Sequence, residues 1–85
     1  MPYIAPEDRE QYELALEELT FEAECKKGEL TYVLYAAALE YIEAKGVSYT
    51  TVSDAISCLT DAAEEIRRRI LNPYEDKKIE ENGDV

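Results

Sequence analysis

The residues best suited to chemistry are three consecutive arginines, Arg67, Arg68 and Arg69, which Tyr74 follows closely. Positions 67–78 hold five of the nine basic residues, in a chain that carries 20 acidic ones. A guanidinium group forms paired hydrogen bonds with a phosphate or a carboxylate, and a tyrosine ring stacks on a nucleobase. These residue types therefore predict a site for a nucleotide-like anion.

A second interpretation of the arginines is structural, and it stays open beside the first. Successive residues of a helix lie about 100° apart around its axis, so the three arginines cannot all face one ligand. Glu64 and Glu65 precede them and are suitably spaced for ion pairs, and basic residues also offset the dipole at the end of a helix.

A second basic pair, Lys26 and Lys27, is a further candidate for the ligand site.

The chain lacks the residues on which most catalytic and metal sites depend. Histidine is absent, and the only cysteines are Cys25 and Cys58. This composition excludes His-based triads and the usual zinc ligand sets. There is no glycine-rich phosphate loop and no evident pair of catalytic carboxylates, so we expect neither enzymatic activity nor a metal or cofactor. Both thiols are expected to be small buried groups in a reducing cytosol, with a disulfide or a reactive thiol as the alternative.

The charge distribution bears on the class of partner. A net charge of −11 disfavours binding to duplex DNA, which requires a basic face. An acidic surface suits a different role, in which the protein imitates DNA or otherwise occupies a host factor, although a solvated acidic face is more common. The acids concerned precede the first glycine and are Glu7, Asp8, Glu10, Glu13, Glu17, Glu18, Glu22 and Glu24.

Glycine and proline divide the chain into helical segments. The apolar spacing and the positions of Pro6, Gly28, Gly46 and Pro73 predict helices over about 6–27, 29–45, 50–71 and 73–82. The last of these is a short helix after a proline break, with Asn72 as its N-cap, and a kinked continuation of the third helix is the alternative. No strand alternation is present, so the sequence predicts a single all-α domain over residues 1–85.

The second predicted helix is apolar on nearly all sides, which indicates burial on more than one face. In a domain of so few helices we expect a subunit interface, and therefore a homo-oligomer that completes a helical bundle. The predicted interface residues are Tyr32, Tyr35, Leu39 and Ile42. The apolar run 30–42 is too short to span a bilayer of about 30 Å, and no secretory signal is visible, so the cytoplasm is the expected location.

Several stretches resemble a family of short uncharacterised proteins encoded by tailed phages and prophages. They are MPYIAPEDREQYE, GELTYVLYAAALEYI, YTTVSDAISCLTDAAEEI and RRRILNPYEDKKIEENGDV, and the ending PYEDKKIEENGDV is the most specific of them. The resemblance implies a cytoplasmic protein made during phage infection. RRRILNPYEDKK is also similar, in its basic helix end and Pro-acidic turn, to small helical phage proteins that sequester cyclic oligonucleotide messengers of bacterial immunity, which are homo-oligomers.

Together these features predict a small non-enzymatic phage protein that sequesters a nucleotide-like anion and so counters host defence. The predicted ligand-binding residues are Arg67, Arg68, Arg69, Tyr74, Lys26 and Lys27. Two alternatives stay open: an acidic antagonist that binds a host protein, and a structural or accessory oligomeric phage component.

Overall fold

The computed structural model describes residues 3–85, which form helices and connecting turns without a β-strand. A 3₁₀ turn over Pro6–Arg9 leads into helix α1 (Glu10–Glu18), which is followed by α2 (Lys27–Lys45), α3 (Tyr49–Ile66), a π-helical turn (Arg67–Leu71) and α4 (Asn72–Asn82). The all-α prediction is confirmed.

Helix α1 is shorter than the sequence predicts. The expected helix over 6–27 ends at Glu18, because Leu19 is extended (φ −80°, ψ 102°) and its N–H closes the last turn on Ala15 and Leu16. Two causes act together. Acids in the last turn oppose the helix dipole, and the following Thr-Phe pair has a low helix propensity. Among residues 3–85, α1 packs on no other helix that would stabilise it beyond this point.

Helices α2 and α3 form an antiparallel hairpin whose turn matches the sequence signals. Gly46 ends α2 at φ 90°, a conformation that favours glycine, and its N–H bonds to the carbonyl of Ile42 at 2.8 Å. Ser48 then caps α3, since its Oγ accepts a hydrogen bond from the Thr51 N–H at 3.1 Å. At the other end of α2, the Lys26 N–H donates to Glu29 Oε2 at 2.7 Å.

Pro73 does not break the third helix. The chain stays helical from Tyr49 to Asn82, and Asn72 has helical dihedrals (φ −62°, ψ −47°) instead of those of an N-cap. Its N–H bonds to the carbonyl of Arg67, five residues earlier, which defines the π turn. Proline lacks an N–H and its ring collides with the carbonyl four residues back, so a locally wider turn accommodates it without a break. The 34 residues from 49 to 82 would measure about 51 Å, which matches the 50 Å long axis.

The described chain has almost no core of its own. Ala55, at 5% exposure, is the only buried apolar residue among residues 3–85, and it lies where α3 faces α2. The radius of gyration is 16.5 Å, whereas a compact domain of this length would have about 12 Å. The α2–α3 hairpin is the only packing between separate helices in this part of the chain. Most of the large apolar side chains are therefore left on the surface.

Candidate functional site

A groove of about 400 Å³ lies between the N-terminal segment and the end of α3. Its lining residues are Tyr3, Ile4, Arg9, Glu65, Ile66, Arg69 and Ile70, and we call it the N-terminal groove. Two contacts place the segment. The Tyr3 hydroxyl donates to the Asp61 carbonyl at 3.4 Å, and the Asp8 N–H bonds to the Ala5 carbonyl at 2.9 Å, which starts the 3₁₀ turn that ends at Arg9.

The three consecutive arginines pair with glutamates one turn earlier, as the structural interpretation expects. Arg69 Nε lies 2.6 Å from Glu65 Oε2, and Arg68 reaches the same carboxylate through Nε (3.2 Å) and a terminal nitrogen (3.1 Å). Arg67 Nε is 3.7 Å from Glu64 Oε1, which is a looser contact. The hydrogen bonds from Arg68, and then from Arg69, hold the pKa of Glu65 below its ordinary value of 4.5.

The N-terminal groove carries a net positive charge. Two basic residues, Arg9 and Arg69, line it, and Glu65 is the only acidic residue of the lining. Within residues 3–85, no carboxylate lies within 4.0 Å of Arg9. Ile66 and Ile70 are 59% and 65% exposed and supply an apolar floor. The groove thus combines two bases with an apolar surface on which a planar ring can lie.

The structure brings together only part of the predicted site. Arg69 lines the N-terminal groove, whereas Arg67 and Arg68 adjoin it in sequence without lining it. Tyr74 lies on α4, where Lys78 Nζ is 5.6 Å from the centre of its ring. Lys26 and Lys27 stand at the start of α2, outside the groove.

Arg9 and Tyr3 line the groove but are not among the ligand-binding residues predicted from the sequence. Arg9 had a signal that could have been used, because it is the only base between Pro6 and Cys25. A single arginine in so acidic a segment predicts an anionic partner or ligand for its guanidinium group. Tyr3 carries no comparable signal, since its role depends on a contact with a residue 58 positions later.

A larger groove of about 690 Å³ lies beside the connection between α1 and α2. Three carboxylates, those of Glu22, Glu24 and Glu29, line it, and no basic residue does so. Lys26 and Lys27 lie in the adjoining sequence but are not part of its lining. This second groove would repel an anion, so it does not support the predicted ligand site.

The predicted interface residues lie along one side of α2. Tyr32 and Tyr35 are 70% and 60% exposed, Leu39 is 36% exposed and Ile42 is half-buried. Their spacing of three, four and three residues gives a continuous apolar stripe. Exposure of this kind is what a subunit interface would show in a separated chain, and the assignment stays a prediction.

The paired arginines around Glu65 predict a pH dependence of stability. Because the folded-state pKa of Glu65 is lowered, its ion pairs stabilise the fold above its ordinary value of 4.5, and this contribution is lost as the pH falls through the lower folded value. We expect Glu65→Gln to lower the melting temperature slightly at neutral pH. The difference from wild type should disappear in acid, because protonation abolishes the same ion pairs.

The measurement is a series of thermal melts followed by circular dichroism from about pH 7 to about pH 3, for wild type and variant. Glu64→Gln is the matched control, since Glu64 makes only the 3.7 Å contact with Arg67. Because the pairs are exposed, the effect should also shrink at high salt. A wild-type-to-variant difference that is constant across the pH range would contradict the prediction.

The fold and the N-terminal groove together define a small all-α protein. Helices α2 and α3 form a hairpin, α3 continues through the π turn into α4, and the groove beside the N-terminal segment is basic. No helix within residues 3–85 has the length and apolar character needed to cross a membrane. The chain belongs to the family described as domain of unknown function DUF6899, whose model matches residues 1–85. Neither the comparison with curated proteins nor the comparison with solved structures finds a match.

Proposed function

We propose that this protein is a non-enzymatic phage protein that sequesters a nucleotide-like anion in the host cytoplasm and so counters host defence. The phage setting and the location rest on the resemblance of its sequence to tailed-phage and prophage proteins. The binding role rests on the N-terminal groove. Self-association is part of the proposal, because a single buried apolar residue within residues 3–85 gives the chain little to stabilise it alone.

One observation carries the binding role: Arg9 and Arg69 line the same groove as Tyr3 and three isoleucines. A phosphate placed between two guanidinium groups gains charge-assisted hydrogen bonds. The base of a nucleotide can cover Ile66 and Ile70 or stack on Tyr3. A groove of about 400 Å³ falls within the range of roughly 300–1,000 Å³ that is usual for small-molecule sites.

Glu65 also shapes this site, because it lines the groove and its carboxylate accepts a hydrogen bond from Arg69. An incoming phosphate would compete with Glu65 for Arg69. Arg68 keeps Glu65 paired when Arg69 turns to the ligand, since it bonds both carboxylate oxygens. This arrangement supports reversible capture rather than chemistry, because no side chain in the groove lining is a nucleophile activated by a neighbouring base.

The test is a thermal-shift panel of purified protein with linear mononucleotides, cyclic dinucleotides and cyclic trinucleotides. A ligand present at about 100 times its Kd adds about 2.7 kcal/mol to the free energy of unfolding, which corresponds to a shift of roughly 10 °C or more for a domain of this size. Nucleosides without phosphate are the control and should give no shift. If no nucleotide raises the melting temperature, the binding role is wrong.

A second candidate function is the acidic antagonist of a host protein. Its supporting observation is that the acids of the 3₁₀ turn and α1 are exposed and form no ion pair within residues 3–85. The acidic row is shorter than the sequence suggests, because Glu22 and Glu24 lie beyond the end of α1.

Capture of host proteins by the immobilised chain tests this alternative. The triple variant Glu13→Lys, Glu17→Lys, Glu18→Lys should lose the captured protein if the acids of α1 bind it. The double variant Glu40→Lys, Glu43→Lys changes exposed acids on α2 and serves as the control. Capture that is equal for wild type and the triple variant would count against this function.

A further inference from the structure

One side of the α2–α3 hairpin is an open apolar groove of about 240 Å³. Its lining residues are Leu34, Ala37, Ala38, Tyr41, Ala55, Cys58 and Leu59, and we call it the hairpin groove. None of them carries a charge. Leu34, Tyr41 and Leu59 remain 46%, 40% and 40% exposed in the single chain. Such a concentration of apolar surface on a small helical chain requires a covering partner.

The groove continues along both helices with the spacing of a helical bundle. On α2, Leu30, Leu34, Ala37 and Tyr41 are separated by four, three and four residues. On α3 the same alternation joins Val52, Ile56, Leu59 and Ala63. An alternating spacing of three and four is the pattern that packs helices side by side at a shallow angle. The hairpin supplies two such helices, and four of them enclose a core.

The excess surface of the chain indicates how much a partner must cover. The accessible surface is 7806 Å² for a mass of 9.7 kDa, whereas a compact monomer of that mass exposes about 5,100 Å². The difference is about 2,700 Å² per chain. For two chains the difference is about 5,400 Å². Obligate homodimers bury roughly 2,000–5,000 Å² or more in total, so the difference matches a large interface of this class.

The lining of the groove suits a second copy of the same chain. It alternates large side chains, Leu34, Tyr41 and Leu59, with the small residues Ala37 and Ala55. A surface that carries both projections and recesses can pack on its own image about a two-fold axis, because each projection then meets a recess. The absence of charge from the lining also avoids the like-charge repulsion that an isologous interface would otherwise create.

We propose that two copies of this chain pack hairpin groove against hairpin groove and form a four-helix bundle from α2 and α3 of each copy. This inference rests on the self-association in the proposed function, and it identifies the hairpin groove as the surface through which the copies associate. It does not depend on the anionic ligand. It also differs from the interface predicted from sequence, since Tyr32, Tyr35, Leu39 and Ile42 do not line this groove.

The alkylation rates of the two cysteines show whether the hairpin groove is covered, and no substitution is needed to measure them. In the single chain Cys58 is exposed and Cys25 is half-buried, so a monomer would be alkylated at Cys58 at least as fast as at Cys25. In the proposed bundle Cys58 is covered, and Cys25 lies outside the groove lining. The order of reactivity is therefore reversed. At a protein concentration about 100 times the dimer Kd, we expect alkylation of Cys58 to be slowed about tenfold more than that of Cys25.

The experiment treats the full chain with iodoacetamide and follows both cysteine peptides by mass spectrometry. Each rate is divided by its own rate in denaturant, and the native mass is measured in parallel. Selective protection of Cys58 that decreases on dilution supports the proposal. If the protein is an oligomer and both thiols are protected equally, the hairpin groove is not the interface, although the self-association in the proposed function is retained. A monomeric mass with a reactive Cys58 overturns both.

Two variants distinguish the two candidate interfaces, which are the hairpin groove and the stripe on α2 predicted from the sequence. Leu59→Asp places a charge in the hairpin groove and should halve the native mass, whereas Tyr32→Asp changes the opposite predicted interface and should leave it unchanged. The reverse result, with only Tyr32→Asp dissociating the protein, would overturn the assignment of the groove.

Discussion

Replacing Ala55 with leucine is expected to lower the free energy of unfolding by about 1–3 kcal/mol, because it overpacks the contact between α2 and α3. Ala55 is 5% exposed and shares the hairpin groove with Ala37 and Ala38 of the facing helix. Because Ala55 is this buried against α2, three additional carbon atoms are expected to push the two helices apart. A domain of this length has a total stability of roughly 4–13 kcal/mol, so the loss is a large fraction of it.

Urea unfolding followed by circular dichroism measures the change, at one protein concentration for all variants because association also affects the midpoint. Ala44→Leu is the matched control. It makes the same chemical change on α2 at an exposed position and should alter stability by less than about 0.5 kcal/mol. Equal losses for the two variants would show that Ala55 does not lie at a close helix contact.

The hairpin is the part of the fold that local sequence signals predict well. A glycine at the end of α2 and a serine three residues before Thr51 are the usual residues for a helix stop and an N-cap, and the structure uses Gly46 and Ser48 in these roles. These signals act within one turn of a helix. They therefore need no knowledge of the rest of the molecule.

The two differences in helix boundaries arise where several weak local effects compete. The first predicted helix continued past Glu18 because apolar residues recur at helical spacing beyond it, but spacing alone does not supply a surface on which they pack. At Pro73 the sequence favours a break. The structure instead accommodates the proline, which has no N–H, by a π turn that begins at Arg67. Propensity rules describe single residues in a regular helix, so they do not choose between a break and a π turn.

The N-terminal groove could be predicted only in part. Arg69 was selected because the triplet of arginines is conspicuous in an acidic chain. Its partner Arg9 lies 60 positions earlier, and the two meet in one groove because the segment before α1 lies along the end of α3. Sequence periodicity describes one helix at a time, so it contains no information on which helix face a distant segment covers.

The hairpin groove shows the same limit for the apolar residues. The all-round apolar character of α2 indicated burial on more than one side, and this is compatible with several interfaces. The face that α3 leaves open follows from the position of Ala55 at the helix contact and not from composition. The exposed apolar surface of the separated chain is therefore the observation on which the proposed assembly rests.

Arg9 and Arg69 carry the second large expected effect, a loss of nucleotide affinity when either is changed to glutamine. A hydrogen bond to a charged group contributes about 1.5–3 kcal/mol, so each substitution should raise the Kd about 10- to 100-fold. The double variant should raise it by at least about 100-fold. Isothermal titration calorimetry measures the change, with the nucleotide that gives the largest melting shift in the panel.

Arg67→Gln is the matched control for these variants, because it removes the same charge from the same arginine triplet without touching the groove lining. It should change the Kd by no more than the modest amount expected for one nearby screened charge, about two- to threefold. All four variants alter exposed side chains, so their helical content should match that of wild type. Equal losses for Arg67→Gln and Arg69→Gln would mean that the triplet acts as a diffuse basic patch. In that case the ligand would not occupy the N-terminal groove, since only Arg69 of the triplet reaches it.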